Sequence, residues 1–173
     1  DHLGLSSLTT TLHVGAHADA PSHYVAAGQD IAQRSLEPYY GPCQVMEVRS
    51  SAGARILPED LTGEVTAPRV LLKTDSFPDP EDWNADFSSC SPGLVEFLYE
   101  AGVILMGIDT PSVDPQDDRE LLSHVAVAER DLSLLEGLVL GGVRAGTYLL
   151  AAFPLRLEGA DASPVRAVLI EEF

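Results

Sequence analysis

Basic residues and long apolar runs are both scarce in this sequence of 173 residues. It contains 10 Lys and Arg residues against 27 Asp and Glu residues, which gives a formal net charge of −17. A surface this acidic repels the phosphate backbone of nucleic acids, so we expect no nucleic-acid partner. No apolar run is long enough to predict a membrane span, and no basic region followed by an apolar stretch predicts a signal peptide.

Cysteine is rare as well, and this excludes several kinds of site. Cys43 and Cys90 form no Cys-x-x-Cys motif and are too few for a disulfide framework, so we expect free thiols and a cytoplasmic protein. Neither has a histidine close by in sequence, which disfavours a cysteine nucleophile. A Ser-His-Asp hydrolase is disfavoured because the sequence contains no Gly-x-Ser-x-Gly elbow.

The length and composition predict one domain spanning residues 1–173. Apolar residues make up 45% of the chain and charged residues 21%, which is ordinary for a globular protein with a single core. No repeat, low-complexity tract or Pro/Gly/Ser linker divides the chain.

Short apolar or Thr-rich segments bounded by turn residues predict a sheet with few helices. The predicted strands are 8–14, 43–48, 70–73, 103–108, 134–140, 148–157 and 165–170. One helix is predicted from Ser91-Pro92, a cap and first turn, to a stop at Gly102. A second is predicted over 117–129, and a single turn over 58–61. This is a mixed α/β domain with more strand than helix.

Three of the five histidines lie within eleven residues, with an aspartate among them. The four potential ligands are His13, His17, Asp19 and His23. Imidazole and carboxylate groups are natural ligands of zinc and similar cations. In a straight strand His13 and Asp19 would lie roughly 20 Å apart, so a metal site requires a bend, which Gly15 permits and Pro21 helps to fix. We predict a strand that ends in a curled metal-binding loop; the alternative is a loop whose histidines only form hydrogen bonds.

Four ligands from one short loop would be crowded, so further ligands are expected from distant parts of the chain. Glu136 stands in the apolar run 134–140, where an ionised carboxylate is costly to bury unless it is paired or metal-bound. The alternative is that it faces solvent on an edge strand. His124 lies among apolar residues of the second predicted helix, where a histidine by itself would more often be an ordinary core residue.

The segment 13–23, HVGAHADAPSH, resembles the His-x-Gly-[Thr/Ala]-His-x-Asp-x-Pro-x-His signature of the cyclase family of metal-dependent hydrolases. Further stretches resemble the kynurenine formamidase branch of that family, and they lie at 41–43, 107–115, 135–140 and 162–169. The resemblance implies a swivelling β/β/α-type fold and a homodimer. It also implies a site for one or two metal ions, commonly zinc and in some relatives manganese.

Carried over residue by residue, the resemblance implies five metal ligands, namely His13, His17, Asp19, His124 and Glu136. It implies that His23 is the general acid/base. The expected reaction is hydrolysis of N-formyl-L-kynurenine to L-kynurenine and formate. Two alternatives stay open: a relative that acts on a cyclic amide such as isatin, and a non-catalytic metal-binding module whose coordination shell is closed by His23. Family members carry a longer segment before the signature, so we expect this domain to lack their N-terminal strand.

Overall fold

The computed structural model describes residues 2–171 and arranges them around an eight-stranded mixed sheet with two α-helices. The strands are β1 (His17–Asp19), β2 (Tyr40–Glu47), β3 (Arg55–Ile56), β4 (Arg69–Lys73), β5 (Ser89–Cys90), β6 (Leu105–Ile108), β7 (Ser133–Glu136), β8 (Gly146–Ala151), β9 (Ala162–Pro164) and β10 (Val168–Ile170). The helices are α1 (Pro92–Glu100) and α2 (Leu122–Glu129), and single 3₁₀ turns lie at Pro21–His23, Ile31–Gln33, Glu37–Tyr39 and Pro58–Asp60. The prediction of one α/β domain with a mixed sheet and few helices is confirmed.

The strand order of the sheet is β10-β8-β2-β4-β6-β7-β1-β9, while β3 and β5 form a separate parallel pair. The four central strands, β2, β4, β6 and β7, are parallel to one another, and the outer strands pair antiparallel with their neighbours. Parallel strands are covered on both faces, which is why β4, β6 and β7 read as continuous apolar runs in the sequence. The histidine-rich segment enters the sheet through β1, between β7 and β9.

Alternate residues of β4 build the two halves of the core. Val70 and Leu72 lie in the cluster that includes Leu94 of α1. Leu71 lies in the second cluster, with Tyr39. This division follows from the two-residue period of a strand, which sends successive side chains to opposite faces of the sheet.

Helix α1 was predicted closely because its signals are local. The hydroxyl of Ser91 accepts a hydrogen bond from the Leu94 N–H at 3.1 Å, and the chain leaves the helix through Gly102, with a φ of +87°. The single turn predicted near residue 58 is also present, as the 3₁₀ turn Pro58–Asp60. No helix within residues 2–171 is long and apolar enough to cross a membrane.

Helix α2 begins five residues later than predicted, at Leu122 and not at residue 117. The Asp118 carboxylate accepts hydrogen bonds from the backbone N–H groups of Glu120 and Leu121, which holds residues 118–121 in a turn. Leu121 has a left-handed φ of +50°, so the helix cannot extend through it toward the N-terminus.

The strand predicted over 8–14 is wrong. Residues 2–16 contain no strand and most of them are exposed, because the Thr-rich segment has no neighbouring strand to pair with. The strand of this region is β1, which follows the bend at Gly15 and does not precede it. The strand predicted over 134–140 ends at Glu136, because Gly137 turns the chain with a φ of +63°. The segment predicted as one strand over 165–170 contributes only β10, and the preceding β9 was missed.

Candidate metal centre

Antiparallel pairing of β1 with β7 brings the first pair of predicted ligands together. His17 lies directly opposite Glu136 in the register of the two strands, and its Nε2 is 3.4 Å from Oε2 of that carboxylate. Asp19 is two residues further along β1, so its side chain lies on the same face. Its Oδ1 is 3.5 Å from Nε2 of His17.

Helix α2 brings His124 to the same point from the other side. Its Nε2 lies 3.5 Å from Oδ2 of Asp19 and 3.4 Å from Oε1 of Glu136. We call His17, Asp19, His124 and Glu136 the inner group. Each of them is no more than 3% exposed.

The two inner imidazoles are held in one orientation by bonds to their Nδ1 atoms. Nδ1 of His124 lies 2.8 Å from the Asp114 carboxylate and donates to it, and Nδ1 of His17 donates to the Gly15 carbonyl at 2.8 Å. In the neutral form of each ring the proton stays on Nδ1, and Nε2 then presents its lone pair to the centre, which is the orientation required of a metal ligand.

Two glycines make this arrangement possible. Gly15 has a left-handed φ of +57°, which supplies the bend that the sequence predicted. Gly137 lies against it, since a Cβ atom at residue 137 would stand 2.2 Å from the Gly15 carbonyl oxygen. The loop that carries His17 therefore packs directly on the turn that follows Glu136.

The inner group fits a divalent cation. Among residues 2–171, the buried atoms without a hydrogen-bond partner include Nε2 of His17, both carboxylate oxygens of Asp19 and Nε2 of His124. Buried polar atoms are normally hydrogen-bonded, because leaving them unpaired is costly. Two imidazole nitrogens and carboxylate oxygens that face one point are the donor set of zinc and similar metals.

A second group of side chains lies beside the first and shares Asp19 with it. Nδ1 of His13 is 3.2 Å from Oδ1 of Asp19, and one ligand atom each of His13, Asp19 and His23 lie within 4.8 Å of one another. The same limit holds for His17, Asp19 and Glu136. The structure therefore brings all six predicted site residues together, around a carboxylate that could bridge two cations.

Asp161 belongs to this second group and was missed in the sequence. Its Oδ2 lies 3.1 Å from Nε2 of His13 and 3.4 Å from Nδ1 of His23. We call His13, His23 and Asp161 the outer group. Their side chains are 26%, 32% and 47% exposed, respectively.

Burial and the neighbouring charges shift the pKa values of this cluster in opposite directions. Burial lowers the pKa of His124, but the hydrogen bond to Asp114 and the nearby carboxylates of Asp19 and Glu136 outweigh it and raise that pKa to about 12. Burial likewise lowers the pKa of His13, but Asp19 and Asp161 raise it to about 9. The pKa of Asp19 is lowered, because the surrounding histidines outweigh the effect of its burial. A cation that binds here must therefore displace protons.

Asp114 was also missed as a site residue, although it lies in the 107–115 segment. Besides His124, its carboxylate accepts bonds from the backbone N–H of Ser123 at 3.0 Å and from Nη1 of Arg55 at 2.8 Å. Arg55 is held in turn by Asp118. Asp114 is thus a fixed partner that orients His124.

A cavity of about 290 Å³ opens beside the metal centre. His13 and His17 form part of its wall, and much of the remainder is apolar, including Leu138 and Val139. Its volume is near the lower end of the range for small-molecule sites, roughly 300–1,000 Å³.

A buried His/Asp/Glu cluster beside a small-molecule cavity defines a class of enzyme that works with a bound metal. Residues 4–115 match the Cyclase family model, which is described as "Putative cyclase". The chain belongs to this family.

Relatives within the family are similar to the chain over nearly its whole length. The kynurenine formamidase of Bordetella petrii is 44% identical over 171 residues, which are 98% of this chain and 81% of the relative. That of Maricaulis maris is 45% identical over 169 residues, 96% of this chain and 80% of the relative.

Solved structures agree with the fold. A potential metal-dependent hydrolase with cyclase activity superposes with a TM-score of 0.84 at 26% identity, covering 93% of this chain and 80% of that one. Isatin hydrolase A of Labrenzia aggregata superposes with a TM-score of 0.77 at 22% identity, covering 95% and 75%, a likeness of fold alone. Together with the His/Asp/Glu cluster, the hydrolase neighbour indicates a metal cofactor.

Proposed function

We propose that this chain is a metal-dependent formamidase that hydrolyses N-formyl-L-kynurenine to L-kynurenine and formate. The observation that carries the proposal is the inner group, whose unpaired nitrogen and oxygen atoms converge at one buried point. The choice of substrate is supported by the kynurenine formamidases that are 44–45% identical to the chain.

We assign the metal to five ligands, which are His13, His17, Asp19, His124 and Glu136. The identity of the metal belongs to the proposal: zinc suits a set of imidazoles and carboxylates, and manganese accepts overlapping geometry. A cation at this point would lower the pKa of a water molecule and polarise the formyl oxygen.

Asp19 has the central role among the ligands. It is buried, its pKa is lowered, and its two oxygens face different histidines, Oδ1 toward His13 and Oδ2 toward His124. It therefore stays ionised and can serve two cations at once. Asp114 and the Gly15 carbonyl hold His124 and His17 so that no side-chain rotation is needed when substrate arrives.

We assign proton transfer to His23. Its side chain is more exposed than any of the five ligands, and its Nδ1 lies 3.4 Å from Oδ2 of the Asp161 carboxylate. In the reaction, water gives a proton to His23 as its oxygen bonds to the formyl carbon, the carbon–nitrogen bond breaks, and His23 delivers that proton to the leaving aniline nitrogen. An imidazole is the side chain best suited to both accept and donate a proton near neutral pH.

The proposal includes a cytoplasmic homodimer. The cytoplasm is supported by two free, buried cysteines. A dimer is supported by Leu3, Leu5 and Leu8, which are 66%, 92% and 84% exposed in the extended segment before β1. Light scattering on the purified protein at several concentrations would measure the mass directly.

The test compares two amides on one metal-loaded preparation. The protein is stripped with a chelator, reloaded with zinc or manganese, and assayed with N-formyl-L-kynurenine and with isatin. We expect turnover of the formamide, loss of that turnover on stripping and recovery on reloading. Faster turnover of isatin would make the chain a cyclic-amide hydrolase, whereas tight metal binding without turnover of either compound would make it a metal-binding module.

A further inference from the structure

The cavity beside the metal centre has a wall made of aromatic side chains. Phe77, Trp83 and Val139 all line it, and Trp83 and Val139 are 61% and 67% exposed. Large apolar side chains that stay this exposed on a shared cavity are typical of ligand-binding surfaces. The outer and inner groups contribute His13 and His17 to the same cavity, so a molecule bound there lies next to the metal centre.

The exposed ring of Trp83 is held in place. Its Nε1–H donates to Oε1 of Gln116 at 2.8 Å. Its ring meets Phe77 and Phe87 edge to face, at centroid distances of 5.9 and 6.1 Å. These contacts fix the indole without covering it, which leaves a flat apolar surface free for another ring.

The exposed carboxylate of Asp75 also lines this cavity. Asp75 follows β4 with a left-handed φ of +52°, a conformation that few residues other than glycine adopt. The buried Asp109 holds it there, because its carboxylate accepts bonds from the backbone N–H groups of Thr74 and Asp75, both at 2.9 Å. The Asp75 side chain is 63% exposed, and Nζ of Lys73 lies 3.6 Å from its Oδ2, close enough to orient the carboxylate without covering it.

We infer that this wall recognises an aryl amide that carries a positively charged group: Trp83 packs on the aryl ring and Asp75 pairs with the cation. The inference rests on the proposed function and deepens it. N-formyl-L-kynurenine has both features, since its formamide is attached to a benzene ring whose side chain ends in an α-ammonium group. Trp83 and Asp75 are therefore specificity-determining residues. The metal centre, by contrast, would act on the formamide group of any formanilide.

Two substrates separate the two contributions. N-formyl-L-kynurenine carries the ring and the ammonium group, whereas 2′-formamidoacetophenone carries the ring and ketone alone. Asp75→Asn should lower kcat/KM for the charged substrate about two- to fivefold, through KM, and leave the neutral one unchanged. Asparagine tolerates the left-handed conformation, so the loop is retained. Asp82→Asn is the matched control, because it removes the same charge from an exposed residue of the same loop that does not line the cavity.

Trp83 is tested with the same pair of substrates. Trp83→Ala should lower kcat/KM for both substrates roughly tenfold, and Trp83→Phe should restore most of that loss, since it keeps an aromatic face. Equal effects of Asp75→Asn on the two substrates, or an unchanged kcat/KM in Trp83→Ala, would overturn the inference.

A binding assay keeps this test separate from the proposed function. Trp83 is the only tryptophan in the chain, so a change in tryptophan fluorescence reports on this wall alone. L-kynurenine should quench it at lower concentration than 2′-aminoacetophenone, and Asp75→Asn should remove the difference. Hydrolysis is not needed for this readout. If neither formanilide is hydrolysed but the quenching follows this pattern, the proposed reaction fails and the inference stands; no quenching by either amine overturns the inference.

Discussion

The inner and outer groups meet at Asp19, which His13 contacts, but they are built in different ways. The inner residues lie on β1, β7 and α2, are almost fully buried, and have partners such as Asp114 and the Gly15 carbonyl that leave one orientation to each ring. The outer residues lie on loops and a 3₁₀ turn and are partly exposed. Buried ligands that are held in one orientation suit a permanent cation, whereas a partly exposed histidine such as His23 suits the transfer of protons.

The shared residue should give the largest effect. Asp19→Asn removes the charge that faces both groups but keeps the shape of the side chain. We expect loss of bound metal and of all measurable turnover, a larger effect than the roughly 10–100-fold typical of residues that only orient a ligand. Elemental analysis and the formamide assay on the same sample measure both. If Asp19→Asn keeps its metal, the cation does not bind at Asp19 and both groups need another explanation.

The outer group is tested by His23→Ala. If His23 is a general acid/base, the variant should keep its metal and lose kcat by roughly 10²–10⁴-fold. His13→Ala is the comparison, because His13 is assigned as a ligand and its loss should lower the metal content. Should His23→Ala lose metal as well, His23 would be a ligand of the outer group, and proton transfer would have to be reassigned.

The inner group is tested through the partner of His124. Asp114→Asn keeps a hydrogen-bond acceptor near Nδ1 but removes the charge, and we expect metal affinity to fall roughly 10–100-fold. Asp118→Asn is the control, since Asp118 binds the same Arg55 without touching His124. Titration with zinc in competition with a coloured chelator measures the difference. Equal losses in the two variants would show that Arg55, and not the orientation of His124, carries the effect.

Features that depend on neighbouring residues in the sequence could be predicted, whereas those that depend on contacts between distant segments could not. Helix α1 could be predicted from Ser91 and Gly102, because its cap and its end are local. The density of ligands between His13 and His23 indicated a site from the sequence alone, and the metal roles of these residues stay predictions. Asp161 gave no signal, since it approaches His13 only through the pairing of β1 with β9. Asp114 gave no signal for the same reason, because only the fold brings its carboxylate next to His124 of α2.

Without a bound cation, the histidines of the site carry protons that metal binding must displace. Below a pH of about 9, His13 is protonated because Asp19 and Asp161 raise its pKa, and His124 is protonated up to about 12. A cation requires neutral imidazoles, so its binding must release protons, and apparent affinity should rise as pH increases from 6 to 8. Calorimetry in two buffers with different heats of ionisation counts the protons released. An affinity independent of pH in this range, with no proton release, would mean that neither histidine is a ligand.

The smallest effect should come from Asp161→Asn. The carboxylate is 47% exposed, so solvent screens its interaction with His13 and His23, and such pairs contribute little. We expect kcat to fall no more than about fivefold, with metal content unchanged. Asp30→Asn is a suitable control, since Asp30 binds the Gly159 N–H in the same loop but contacts neither histidine. A loss of metal in Asp161→Asn would instead place Asp161 among the ligands, so that the outer group would hold metal through more than His13.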